Sequence, residues 1–280
     1  MTATTVGAER IAEAFARARA NGRRAALMPY LMGGYPDLDT SREIGLAYAR
    51  SGADLVELGV PFSDPLADGP VIHAAATAAL AAGATLPAVL EVGRAIPAEV
   101  PVVVMCYFNL ILARGLERCL DQVADSGASG VIVPDLPLEE SDRAREACTR
   151  SGLALIGLVA PTTPVQRLAR IGAGAQGFLY TVALTGTTGE RTGSDDGIEE
   201  IVARASAHTE VPVAVGFGIG TPQQAERAAA AGADGVIIGS RLVRAAGAAA
   251  DPVAEVAALV AGFGAALDHA GQPGKDAPVA

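Results

Sequence analysis

One lysine, three histidines and three cysteines are all that this 280-residue chain has of the side chains that most often do covalent or metal chemistry. Lys275 lies in the polar C-terminal stretch GQPGKDAPVA, so a Schiff-base lysine inside the fold is excluded. His73, His208 and His269 are far apart and form no HxH or HxxxH pair, which removes the usual signature of a histidine-rich metal site. Cys106, Cys119 and Cys148 are odd in number and contain no CxxC. Neither a disulfide framework nor a zinc site is expected, and the three read as small apolar fillers. Positive charge is also scarce: the formal net charge is -10, so the chain lacks the basic footprint that binding a phosphate backbone needs, and no nucleic acid partner is expected. No window offers about 18 uninterrupted apolar residues, and the opening MTATTVGAERIAEAFARARANGRR is amphipathic and charged rather than signal-like. The expectation is a soluble, cytoplasmic protein without a membrane partner.

What is present is hydrophobic and repetitive. Half of the residues are hydrophobic, which suits a buried parallel sheet covered by helices. SGADLVELGV, SGASGVIVPD and AGADGVIIGS echo one another, each reading as a helix end, a glycine cap and a short apolar run. VPVVVMCY and VPVAVGFG form a second set of runs without strand alternation, as expected where both faces are buried. Eight strands are predicted near 25–32, 54–59, 101–106, 130–134, 153–159, 176–182, 211–216 and 235–239. Helical stretches are expected between them, among them 41–50, 117–125, 138–150, 222–231 and 251–269, with TPQQAE and SDDGIEE as N-terminal starts. The fold class is α/β, a (β/α)8 TIM barrel with an extra N-terminal helix. One domain is expected over 1–270, followed by a disordered tail at 271–280. An open doubly wound sheet is the alternative, but it needs an early glycine-rich dinucleotide fingerprint that the chain lacks.

In a barrel the residues just after each strand converge on one face, which selects Gly33, Glu57, Tyr107, Asp135, Tyr180, Gly216 to Gly218, Gly239 and Ser240. The loops GFGIG and GSRLV fall after strands seven and eight, where such barrels hold phosphate through backbone N–H groups, and TGTTGERTG follows strand six. Any one of these glycines can be a mere turn former. Together they predict a phosphorylated small molecule. Glu57 sits in the apolar LVELGV, where an unpaired buried charge is too costly to keep casually and low dielectric raises a carboxyl pKa into general acid–base range. Its alternative is a buried ion pair, although no arginine is visible on a strand. Asp64 and Asp68 lie in the following loop, where turn-forming, helix-capping and catalytic roles stay open.

These stretches carry a resemblance. LVELGVPFSDPLADGP closely resembles the signature of the tryptophan synthase α subunit family, and PYLMGGYPD, YFNLIL, GVIVPDLPLEES, LVAPTTP, YTVALTGTTG, GFGIGTPQQ and GADGVIIGS extend it over most of the chain. The resemblance implies a (β/α)8 lyase that cleaves indole-3-glycerol phosphate to indole and D-glyceraldehyde 3-phosphate in tryptophan biosynthesis. It implies no cofactor in this chain, and pyridoxal phosphate only in a β-subunit partner of an α2β2 heterotetramer. It makes Glu57 and Asp68 catalytic, the latter holding the indole N–H. Tyr30, Met105, Ile132, Tyr180 and Phe217 become substrate-binding, and Gly189, Gly218, Gly239 and Ser240 phosphate-binding, with no metal. Departures from the family pattern occur at Ala183, Leu184 and Thr187 in the sixth loop, and at Tyr30, Met32 and His73. The resemblance also places the loop containing Asp64 toward the β subunit. A free-standing indole-producing lyase of specialised metabolism, a noncatalytic partner subunit regulating a β-like enzyme, and a generic phosphosugar isomerase are the alternatives.

Overall fold

The computed structural model describes residues 5–182, 197–216 and 218–269. Its strands are β1 (Ala26–Met32), β2 (Val56–Gly59), β3 (Val102–Met105), β4 (Gly130–Ile132), β5 (Ala154–Leu155), β6 (Gly157–Val159), β7 (Leu179–Val182), β8 (Val213–Gly216) and β9 (Gly235–Ile238). All pairings are parallel, in the order β5-β4-β3-β2-β1-β9-β8-β7-β6. The two ends of that order are adjacent in sequence. The predicted stave 153–159 is therefore present but divided at Ile156, so eight staves comprise nine strands. Its first half pairs with β4 and its second with β7. At the division the Ile156 N–H still reaches the Val131 carbonyl at 3.0 Å, while the Leu155 N–H turns to the Gln176 side-chain oxygen at 3.0 Å. A side chain thus supplies the acceptor that the barrel's twist denies that amide.

Helices alternate with the strands: α1 (Val6–Ala20), α2 (Leu38–Arg50), α3 (Pro70–Ala81), α4 (Leu86–Ala95), α5 (Phe108–Arg114), α6 (Leu116–Asp125), α7 (Asp142–Arg150), α8 (Val165–Ala173), α9 (Ile198–Ser206), α10 (Pro222–Ala230), α11 (Ser240–Ala248) and α12 (Pro252–His269). The stretch expected to be one helix from Leu138 is a 3-10 turn, Leu138–Glu140, followed by α7. TPQQAE does start a helix, through a capping box. Gln224 N–H donates to Thr221 Oγ1 at 3.3 Å, and Gln224 Oε1 accepts from the Thr221 and Gly220 N–H groups at 3.1 and 2.8 Å. α9 begins after Gly197, and the preceding SDD falls outside the described residues, as does the stretch expected as a tail. Among the described residues no single helix is long and apolar enough to cross a membrane. Only the pair α3–α4, bent by 108°, reaches that length and composition.

The extra N-terminal helix is capped by Thr5, whose hydroxyl accepts from Ala8 N–H at 3.1 Å. It inserts Ile11 and Phe15, 0% and 1% exposed, into the cluster formed by the inward residues Met28, Leu55, Val103, Ile156, Phe178 and Ala214. α1 thus closes the N-terminal end of the barrel and leaves the C-terminal end for chemistry. On the outside, Arg23 ties the chain entering β1 to Asp54 at 2.7 Å and to Asp268 on α12 at 2.9 Å, so both ends of the described fold share one guanidinium. Cys106, Cys119 and Cys148 are buried free thiols within the layer between barrel and helices, as fillers should be.

Candidate active site

Period two along each strand decides what enters the barrel. One step above the packed layer of Met28, Leu55, Val103 and Phe178 come Tyr30, Glu57, Met105 and Tyr180, and these four line a cavity of about 400 Å³ together with Ile132 and Leu158. Tyr30 and Glu57 are direct register partners across β1 and β2, so their side chains share one level. Space for the two rings comes from glycine. A Cβ on Gly59 would overlap the Tyr30 hydroxyl, and one on Gly216 would overlap the Tyr180 ring.

Glu57 is 2% exposed, and its Oε2 has no hydrogen-bond partner among the described residues. Burial, reinforced by the neighbouring Asp68 carboxylate, pushes its pKa up to about 8. No arginine joins it, so the ion-pair alternative is absent from the described residues. Asp68 lies on the β2–α3 loop at the cavity wall. Burial raises its pKa to about 6, and the rise is held back by a hydrogen bond from the Tyr107 hydroxyl and by the charge of His73. At neutral pH the two acids are therefore split: Glu57 holds its proton and Asp68 has lost its own.

Tyr107 organises the loop. It accepts the Ala67 N–H at 3.0 Å, donates to Asp68, and stacks on Phe62 with ring centroids 5.0 Å apart. Its place at the end of β3 selected it from sequence, but nothing in the sequence told that it reaches across to the loop of β2. Two polar residues on either side of Asp68 stay outside the cavity lining. Asp64 is exposed and accepts from Ser63 Oγ at 2.5 Å, while His73 is exposed on α3 and acts on Asp68 only through its charge.

The βα loops after β8 and β9 reach the same cavity. Gly218 contributes with φ +51°, and Gly239 and Ser240 form the N-terminal start of α11. Gly189, Phe217, Ala183, Leu184 and Thr187 lie outside the described residues. Two mouth positions have other work. Asp135 accepts the Phe108 N–H at 2.8 Å at the start of α5, and a Cβ at Gly33 would overlap Val89. Leu158, Ile219, Ile237 and Arg241 were not singled out from sequence, yet all line the cavity. Leu158 and Ile237 fall two residues after inward-facing Ile156 and Gly235, so strand alternation carries enough signal to find them. Among the described residues no group of three or more His, Cys, Asp or Glu is placed to hold a metal ion. The arrangement offers a neutral acid, a carboxylate, a flat apolar slot between aromatic and aliphatic walls, and an amide-rich rim.

The family model described as tryptophan synthase alpha chain matches residues 15–269. Among relatives, the tryptophan synthase alpha chain of Gloeobacter violaceus is 51% identical over 236 residues, 84% of this chain and 85% of that protein. That of Prochlorococcus marinus is 48% identical over 235 residues, 83% and 85% of the two chains. The barrel superposes on a Mycobacterium tuberculosis tryptophan synthase structure with TM-score 0.85 and 37% identity, covering 92% of this chain and 98% of that one. A Legionella pneumophila alpha chain gives TM-score 0.84 at 33% identity, covering 95% and 98%.

Proposed function

The chain belongs to the tryptophan synthase alpha chain family, the carbon–carbon lyases that release indole, and on that premise we propose how its own side chains carry the cleavage of indole-3-glycerol phosphate. The observation that carries the reading is the split pair of acids: a buried Glu57 with pKa about 8 beside Asp68 with pKa about 6, in one apolar slot.

A retro-aldol cleavage needs somewhere for the electrons of the breaking bond to go, and the indole ring can supply it. Protonated Glu57 gives its proton to indole C3, and the ring becomes an indoleninium cation. The resulting Glu57 carboxylate then takes the proton from the hydroxyl on the adjacent glycerol carbon. As that carbon becomes an aldehyde, the bond to C3 breaks and its electron pair restores the aromatic ring. Glu57 ends the cycle protonated, so the proton ledger closes on one residue. Ionised Asp68 accepts the indole N–H and stabilises the positive charge while it exists. Tyr30, Met105, Ile132 and Tyr180 wall the slot, with Phe217 assigned beside them. The amides at Gly218, Gly239 and Ser240, with Gly189 from the sixth loop, receive the phosphate.

The partner we infer is a β subunit carrying pyridoxal phosphate in an α2β2 assembly. Leu66 at the tip of the Asp68 loop is 91% exposed and Leu112 on α5 is 52% exposed, and Tyr107 links these two segments beside the site. Purified protein incubated with indole-3-glycerol phosphate, alone and with a cognate β subunit, is expected to release glyceraldehyde 3-phosphate in both conditions and faster in the second. No release in either condition overturns the reading. Activation of the β subunit without any lyase turnover assigns the chain a noncatalytic role instead.

A further inference from the structure

The cavity that receives the substrate contains two acids and one cation among its described lining residues, and the cation is Arg241. It follows Gly239 and Ser240 directly, within the first turn of α11, a nine-residue helix. Arg241 is partly buried, and no hydrogen bond or ion pair to another described residue engages it. Three other arginines, by contrast, are tied down: Arg23 to Asp54, Arg167 to Glu139, and Arg204 to two carbonyls. Arg241 also borders an outer groove that contains Arg244, Asp251 and Glu255, so it stands on the ridge between the reaction cavity and solvent.

Electrostatics gives this position a task. The chain carries a net charge of -10, and at neutral pH the cavity already holds an ionised Asp68. A phosphate monoester entering it brings close to two more negative charges. Backbone amides offer partial charges only, and they leave the like-charge repulsion in a low-dielectric slot largely uncompensated. An arginine one residue beyond those amides can meet the phosphate oxygens with a charge-assisted, two-pronged hydrogen bond.

We propose that Arg241 is a substrate-specificity residue, a side-chain clamp on the phosphate that makes this site select phosphorylated over unphosphorylated indolyl glycerols. The proposal rests on the assignment of the α11 end of the cavity to the phosphate. The same guanidinium, at the border between the cavity and the outer groove, draws the anion past the acidic surface and offsets the repulsion from Asp68. Glu57, whose Oε2 has no partner among the described residues and which lines the same cavity, is left to the indole.

The test compares wild type with Arg241→Gln and Arg241→Lys. For Arg241→Gln, KM for indole-3-glycerol phosphate is expected to rise about tenfold or more, with kcat changed far less, because a charged hydrogen bond made equally in ground and transition states is lost. Inhibition by glycerol 3-phosphate should weaken by a similar factor, and inhibition by indole propanol, which has no phosphate, should not move. Arg241→Lys should recover part of the loss. The salt dependence of kcat/KM should flatten in Arg241→Gln. Unchanged KM and unchanged glycerol 3-phosphate inhibition in Arg241→Gln overturn the proposal and mean that the guanidinium faces the outer groove. Failure of the lyase reading itself is distinguishable, because it leaves the wild type without turnover, while calorimetric binding of glycerol 3-phosphate to wild type and Arg241→Gln still reports on the clamp.

Discussion

At the scale of single residues, the environment gives two carboxyls of nearly equal intrinsic acidity opposite protonation states at neutral pH. Glu57 on a strand has no hydrogen-bond partner at Oε2 among the described residues, whereas Asp68 on a loop has a tyrosine hydroxyl and the field of a histidine. The proposed mechanism needs Asp68 ionised and Glu57 protonated, so kcat/KM should rise as pH passes about 6 and fall as it passes about 8, the two limbs belonging to the coupled pair. Tyr107→Phe removes a hydrogen bond that lowers the Asp68 pKa, so the lower limb should move to higher pH by roughly half a unit to one unit. A lower limb that stays in place in this variant would show that Tyr107 does not tune Asp68. The same burial has a cost in stability. Folded Glu57 keeps its proton to about pH 8, while the unfolded chain releases it near about pH 4.3, so the stability it contributes is complete at low pH and is lost as pH rises across that window. Glu57→Gln has no proton to lose. In urea denaturation it should match wild type near pH 4 and exceed it by on the order of 2–4 kcal/mol at pH 8.5. Equal stability at both pH values would mean that water reaches the carboxylate.

At the scale of elements, the site depends on alternation being obeyed on every stave and on α1 sealing the far end. Phe15 contributes one of the largest fully buried side chains, and Phe15→Ala should destabilise the protein by about 3–5 kcal/mol while leaving KM for the substrate close to wild type. A large KM change would instead mean that the layer under Tyr30 and Glu57 shifts when the plug is thinned. This part of the fold was readable because repeats such as SGADLVELGV mark helix end, glycine and strand in order, and because TPQQAE carries its own capping box. The division of one stave at Ile156 was not readable. It depends on a side chain from Gln176, twenty-one residues from the amide it satisfies, and no local pattern encodes such a contact. The same holds for Tyr107, whose hydroxyl reaches Ala67 across forty residues. Glu57 was legible from physics alone, as a charge in an apolar run. Asp68 was not: its loop allowed cap, turn or catalyst, and only the resemblance implies the last. Arg241 went unread because a basic residue at a helix start is ordinarily surface.

At the scale of the whole molecule, the barrel is an acidic body that must admit an anion and use it without lysine. The reaction assigned to it meets that demand by letting the substrate be its own electron sink, so that one neutral acid and one carboxylate suffice. The closed lower layer leaves the upper mouth for chemistry, beside exposed Leu66 and Leu112. The claim on which the account turns is that Glu57 moves both protons. Its most direct test is the initial rate of glyceraldehyde 3-phosphate release from saturating indole-3-glycerol phosphate at pH 7, compared between wild type and Glu57→Gln. A loss of about a thousandfold or more with KM close to unchanged is expected, because the amide keeps the shape and loses the transferable proton. A Glu57→Gln rate within tenfold of wild type would contradict it.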